Sequence, residues 1–217
     1  MLHASLWQSN ADLARCILEH PFVRGLSDGS LNRDAFRRYV AQDAFFLRAF
    51  VKAYALAAAK CDDFDRAKVF HGLMTGVFEE IELHESYAAS LGIELEDVDP
   101  FAATLAYTDF LQRVAWHRSL SETIAATVPC MRVYHFLGVE LTAQLHPAHP
   151  YESWIQTYAS DEFKQLSDRL ESLLDEVSAE EARNRNTRSL DPAIEDVYRY
   201  AMRCEFDFFS APFQDDF

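Results

Sequence analysis

A chain of 217 residues, 49% apolar and 25% charged, can bury a substantial core as one domain or two small ones. Its net charge of −15 repels phosphate backbones and anionic bilayers alike, which argues against nucleic-acid binding and membrane-surface docking. Only 6 glycines leave little material for phosphate-cradling loops, whereas 17 phenylalanines predict an aromatic core.

The N-terminal stretch Met1 to His20 lacks the basic head and apolar run of a signal peptide, and no run of apolar residues is long enough to span a bilayer. Cys16, Cys61, Cys130 and Cys204 are scattered without C-x-x-C spacing, so neither a disulfide framework nor a zinc site is expected. Reduced thiols and a cytoplasmic location follow as expectations.

In chain order, Ala4 to His20 reads as a first amphipathic helix interrupted by Pro21. Phe22 to Leu31 reads as a connector with Asp28-Gly29-Ser30 as its turn. Asn32 caps a long helix to about Lys60, and Asp62 or Asp63 caps the next, to about Leu91, stopped by Gly92. An acidic loop, Glu94 to Pro100, precedes helices over Phe101 to His117 and Leu120 to His146. The run His146-Pro-Ala-His-Pro150 is a break. A short helix over Tyr151 to Tyr158 follows, then one from Ser160 or Asp161 to Val177. Ser178-Ala-Glu-Glu reads as the start of a further short segment, and Pro192 at a first turn opens the last helix, to about Phe209. No stretch alternates with period two, and no linker separates domains. The prediction is one all-α domain over 1–217, a bundle of about seven to eight helices.

Three polar residues interrupt apolar stripes. Phe36, Tyr39, Asp43, Phe46 and Phe50 fall at i, i+3, i+7, i+10 and i+14, so one helix face carries four aromatic rings and a carboxylate. A buried Asp needs a partner, either a structural ion pair or a polar ligand. On the last helix Tyr198, Ala201, Met202, Glu205, Phe208 and Phe209 repeat the pattern, with Glu205 among apolar neighbours. Burial raises a carboxyl pKa, and two carboxylates in one pocket push their values apart, which suits acid/base chemistry near neutral pH. A pair with an inward-facing Arg132 is the structural alternative for Glu205. Cys130 shares a face with Thr127, Tyr134 and Leu137 and directly follows Pro129, which removes a backbone donor inside a helical pattern. Core filling is the alternative for this thiol.

Metal chemistry is the rival use for helical carboxylates. Glu80 and His84 stand at i and i+4, with Glu82 and Glu85 near. No second helix repeats the pattern, since His135, His146 and His149 lack an acidic partner at i−3 or i−4. No metal and no cofactor are expected. Nucleotide-loop and serine-hydrolase motifs are absent from the sequence.

The runs Y-V-A-Q-D-A-F-F-L, P-C-M-R-V-Y-H-F-L-G, H-P-Y-E-S-W-I-Q-T-Y-A-S and E-F-D-F-F-S-A-P-F, in this order across nearly the whole chain, resemble the thiaminase II (TenA-like) family. The resemblance implies a haem-oxygenase-like all-α bundle, a homo-oligomer (tetramer or dimer), and a deep pocket for an aminopyrimidine. It implies hydrolysis of thiamin or of degraded or formylated aminopyrimidines toward hydroxymethylpyrimidine, without a cofactor. By this resemblance Asp43 binds the amino group and adjacent ring nitrogen, and Phe46 stacks on the ring. Cys130 is the attacking thiol, Tyr134 supports it, Tyr107 and Tyr158 line the pocket, and Glu205 is the acid/base. His84, Glu79 and Glu82 are expected at or behind the pocket wall. The run M-R-V-Y-H-F-L-G and the tail E-F-D-F-F-S-A-P also resemble a branch described as using Glu in place of the thiol, although Cys130 is present here. A non-catalytic pyrimidine-binding regulator, or a pyrroloquinoline-quinone-synthase or di-metal-oxygenase type of the same superfamily, stands as the alternative.

Overall fold

The helical periodicity of the sequence is realised throughout the described residues. The computed structural model describes residues 1–91, 98–186 and 191–213, with 83–91 described by their helix alone. Among these the α-helices are α1 Leu2–Ser9, α2 Ala11–Leu18, α3 Pro21–Asp28, α4 Arg33–Ala59, α5 Phe64–Leu91, α6 Ala102–His117, α7 Leu120–Leu141, α8 Glu152–Ala159, α9 Asp161–Asn184 and α10 Pro192–Phe213. A single 3-10 turn, Thr142–Gln144, follows α7, and no strand occurs among the described residues. The class is all-α, with a helix count above the expected seven to eight.

The surplus comes from the N-terminal third. The single helix expected over Ala4 to His20 is two, because Asn10 leaves helical geometry at φ −113°, ψ 19°. Its side chain fixes the corner, with Nδ2 donating to the Leu6 carbonyl (2.8 Å) and Oδ1 accepting from Arg199 (3.0 Å). The expected connector Phe22 to Leu31 is largely α3. Pro21 opens that helix from its first turn, where a missing N–H costs nothing, and His20 Nδ1 accepts from Phe22 N (3.1 Å). Gly29, at φ 77°, then ends it in the left-handed conformation that glycine adopts freely. Ser178 starts no new segment: it is buried inside α9, whose stripe of Leu170, Leu173, Leu174 and Val177 runs on through it. The predicted stop at Gly92, the acidic loop from Glu94 to Asp97, and Ser189 lie outside the described residues.

Helix α7 is buried around almost its whole circumference, as befits a central helix, and it packs against α4, α6, α8, α9 and α10. Ser119 and Glu122 close a capping box at its start, and Glu181 of α9 accepts from Ser121 N (3.1 Å) and Ser121 Oγ (2.6 Å). Pro129 sits inside α7 without ending it. The three polar residues of the apolar stripes are thereby carried on α4, α7 and α10, three helices in mutual contact. No helix of the described residues is long and apolar enough to cross a membrane.

Near its C-terminal end α7 touches the backbone of α8. A Cβ on Gly138 would stand 2.4 Å from the Tyr158 carbonyl carbon and 2.5 Å from Ala159 N, far inside van der Waals contact. Gly138→Ala is therefore expected to push α8 away, at a cost of about 1–3 kcal/mol, read as a melting temperature lower by about 3–10 °C. An unchanged melting temperature would show that α8 moves freely.

Candidate active site

Helical spacing turns Asp43 and Glu205 inward, and both are buried, at 2% and 1% exposure. Cys130 keeps 9% of its surface, the most of the three. Asp43 is held on its own helix by Tyr39, one turn earlier, whose hydroxyl donates to Oδ2 at 3.2 Å. Tyr39 Oη lies 3.0 Å from Tyr134 Oη of α7 and accepts from Trp154 Nε1 of α8 at 3.3 Å. Four side chains from three helices thus form one hydrogen-bonded chain ending on the Asp43 carboxylate. The sequence places Tyr39 on the same aromatic stripe as Asp43; its hydroxyl is what meets the carboxylate.

Glu205 has a different partner from the one weighed against it. Tyr107 of α6 donates to Glu205 Oε1 at 2.6 Å. Arg132 turns the other way, with its guanidinium over the Trp7 ring (4.8 Å to the centroid) and Nε 3.7 Å from Glu171. Among the described residues no arginine is paired with Glu205. Burial pushes its carboxyl up to about 8; the Tyr107 hydrogen bond lowers it and the Asp43 charge raises it further. Much of the Glu205 population is protonated near neutral pH. Burial first, then the charges of Glu205, Glu80 and Asp43, hold the Cys130 thiol well above its usual range, so the resting group is a neutral thiol.

The aromatic walls are continuous. Phe46 packs on Tyr107 (centroids 4.8 Å) and Phe208 (5.4 Å), and stacks on Phe50 (5.3 Å, 27°). Tyr134 packs on Tyr158 (4.7 Å) and Phe209 (5.7 Å). Tyr158 is placed by its backbone, since His135 Nδ1 lies 3.0 Å from its carbonyl oxygen. Gln42, beside Asp43 in sequence, ties the start of α6 to α4: its Oε1 accepts from Phe101 N (2.8 Å) and Thr104 Oγ1 (2.6 Å).

Asp43, Phe46, Tyr107, Cys130, Tyr134, Tyr158 and Glu205 thus belong to one buried aromatic and acidic region. Glu79 and Glu82 do not join it; both are exposed on α5. The carboxylate that α5 turns toward Tyr158 is Glu80, whose Oε1 accepts from the Tyr158 hydroxyl at 2.6 Å. The side chain of His84 lies outside the described residues. Among the described residues no group of three or more His, Cys, Asp or Glu side chains is arranged to hold a metal ion.

This arrangement suits a flat, nitrogen-bearing ring. Aromatic faces bracket a plane, Asp43 accepts from donors on its edge, and a thiol and a high-pKa carboxyl stand ready for addition and proton transfer. A model of the TENA/THI-4/PQQC family matches residues 7–208. The aminopyrimidine aminohydrolase of Halalkalibacterium halodurans is 36% identical, over 98% of this chain and 95% of its own. A crystal structure from a Silicibacter species, described as a TenA family transcription regulator, superposes with a TM-score of 0.91 at 28% identity, over 98% of this chain and 96% of that one. A Shewanella denitrificans domain described as having a haem-oxygenase-like fold superposes at 0.73 and 15% identity, over 96% and 90%, a likeness of fold alone.

Proposed function

This chain belongs to the TENA/THI-4/PQQC family, and from that membership we propose that it is an aminopyrimidine hydrolase of thiamin salvage, acting on a carbon–nitrogen bond. The observation that carries the reading is the convergence of a buried Asp43, a neutral buried Cys130 and a Glu205 raised to about 8 within one aromatic-walled region. We place the protein in the cytoplasm and expect it to work as a homo-oligomer, on a small-molecule substrate with no bound cofactor.

The pyrimidine ring packs against Phe46, and Asp43 accepts from its amino group and the protonated neighbouring ring nitrogen. Tyr39 and the chain behind it keep the Asp43 carboxylate aimed at that edge. Ring protonation withdraws electrons and opens a ring carbon to attack. Glu205, as carboxylate, takes the Cys130 proton and the thiolate adds to that carbon. The ring electrons then expel the substituent on the exocyclic carbon, water adds there, and the thiolate departs as the ring is restored. Glu205 returns the proton. The net change is R–CH2–X plus water giving R–CH2–OH and HX.

Asp43→Asn keeps the shape of the residue and removes its charge. It is expected to weaken hydroxymethylpyrimidine binding by about 10- to 100-fold, measured by titration calorimetry or by the ligand-induced rise in melting temperature. Binding that is unchanged in the variant would move the ring away from Asp43. Failure of the unmodified protein to release hydroxymethylpyrimidine from any thiamin-derived pyrimidine would overturn the activity itself.

A further inference from the structure

The proposed reaction makes a thiolate in a place that opposes one. The charges acting on Cys130 are Glu205 of α10, Glu80 of α5 and Asp43 of α4, and all are carboxylates. A thiolate formed among them needs a hydrogen-bond donor with a proton to spare. The tyrosines described so far are committed elsewhere. Tyr107 gives its proton to Glu205, and Tyr158 gives its own to Glu80. Tyr39 has one proton and donates it to Asp43, so the 3.0 Å contact between Tyr39 and Tyr134 uses the Tyr134 proton.

Tyr54 of α4 differs from them. It is completely buried, and its hydroxyl has no hydrogen-bond partner among the described residues. Its ring is fixed by Phe50 (centroids 4.7 Å) and Phe70 (6.0 Å). Helix geometry says where the hydroxyl goes. α4 and α7 run antiparallel: Tyr39 meets Tyr134 at one end, and Lys60 Nζ donates to Thr123 Oγ1 (3.1 Å) at the other. Tyr54 lies between those contacts on α4, and Cys130 lies between them on α7. Side chains on a helix lean toward its N-terminus, so Tyr54 sends its hydroxyl back along α4, toward the level of Cys130. Cys130 is also first among the ionisable groups whose charge acts on that hydroxyl, ahead of Glu80. A buried hydroxyl left unpaired is a standing cost to the fold, and such costs persist where the reaction uses the group.

We infer that Tyr54 is the hydrogen-bond donor for the Cys130 thiolate: its O–H rotates toward Sγ as the sulfur gives up its proton, and it steadies the nucleophile through the addition. This rests on the hydrolase reading above. The Cys130 proton goes to the Glu205 carboxylate, as before, and Tyr54 keeps its own; no further bond is made or broken. A neutral thiol is a weak acceptor and a thiolate a strong one, so the contact strengthens only as charge develops on sulfur. The unpaired hydroxyl of the resting protein is then a donor held in advance for that charge. Burial first, then the charges of Cys130 and Glu80, keep Tyr54 protonated well above neutral pH, so the donor is always present.

The test is Tyr54→Phe, which deletes the donor and keeps the ring. Alkylation of Cys130 by iodoacetamide, followed peptide by peptide from about pH 7 to 10, needs no substrate and has the exposed Cys16 as its internal reference. The Cys130 rate is expected to fall by about 10-fold or more across that range, with Cys16 unchanged. Hydroxymethylpyrimidine release should lose about 10- to 100-fold in kcat with KM within about threefold. The melting temperature should stay level or rise, because the deleted hydroxyl was unpaired. An unchanged Cys130 alkylation profile overturns the inference and leaves the hydrolase reading intact. A melting temperature lower by more than about 3 °C overturns it too, since the hydroxyl would then be bonded in the resting fold. Slowed alkylation in the variant, with no hydrolysis by the unmodified protein, upholds the contact between Tyr54 and the thiolate and overturns the hydrolase reading. If the reagent reaches Cys130 in neither protein, kcat decides, and a value within about threefold of the unmodified protein's overturns the inference.

Discussion

Cys130→Ser is expected to lower kcat by about 1,000-fold or more while leaving the melting temperature within about 2 °C of the unmodified protein. The substitution changes one atom in a side chain that is buried among apolar neighbours on α7, so packing is nearly conserved. Reactivity is not conserved. The burial and the three carboxylates that already hold the thiol well above its usual range act with equal force on a hydroxyl, whose starting pKa is much higher. A base poised near 8 can draw a proton from a thiol and has little prospect with an alcohol. The decisive measurement is single-turnover hydrolysis of an aminomethylpyrimidine, with hydroxymethylpyrimidine affinity as the control for an intact pocket. If the serine variant retains more than about a tenth of the rate, the thiol is not the nucleophile, and direct attack by a water activated at Glu205 takes its place.

What the sequence disclosed about this site, and what it did not, divides along the range of the physical signal. Asp43 and Glu205 stand out because a carboxylate in an aromatic stripe violates a local pattern spanning four turns of helix. Long helices such as α4, α7 and α10 repeat that pattern often enough to read. Eight-residue helices do not, so α1 and α2 merged into one and α3 passed for a connector, with Pro21 taken as a breaker where it serves as a start. The contact between Glu80 and Tyr158 was illegible for a related reason. On α5 the run Glu79-Glu80-Ile81-Glu82 offers acids on several faces, and only the Tyr158 hydroxyl, arriving from α8, distinguishes one of them. The choice of Tyr107 over Arg132 as partner for Glu205 is likewise made between helices, by Glu171 and Trp7 drawing the arginine away. Periodicity tells which side of a helix is buried; it does not tell what the buried side faces.

Glu205 links activity and stability through one proton, and its replacement is expected to alter both. Since the carboxylate is the form that accepts the Cys130 proton, kcat/KM of the unmodified protein should rise with pH and level off above about 8. Glu205→Gln should lower kcat/KM by about 100-fold or more and abolish that rise. Tyr107→Phe should move the rise to higher pH, because the lost hydrogen bond is the contact that favours the charged form. The stability effect has the opposite direction. Folding raises the Glu205 carboxyl from its ordinary value of 4.5 to about 8, so the folded state holds a proton that the unfolded chain releases. The resulting contribution is fully present below 4.5 and is lost as pH rises toward 8 and through it, with an upper limit of about 5 kcal/mol. Glutamine keeps the shape and cannot ionise, so the variant should gain stability relative to the unmodified protein between pH 5 and 8.5, measured by urea unfolding at both values. A stability difference that is the same at both pH values would mean that Glu205 is already ionised in the folded protein, and the alkaline rise in activity would then need another group.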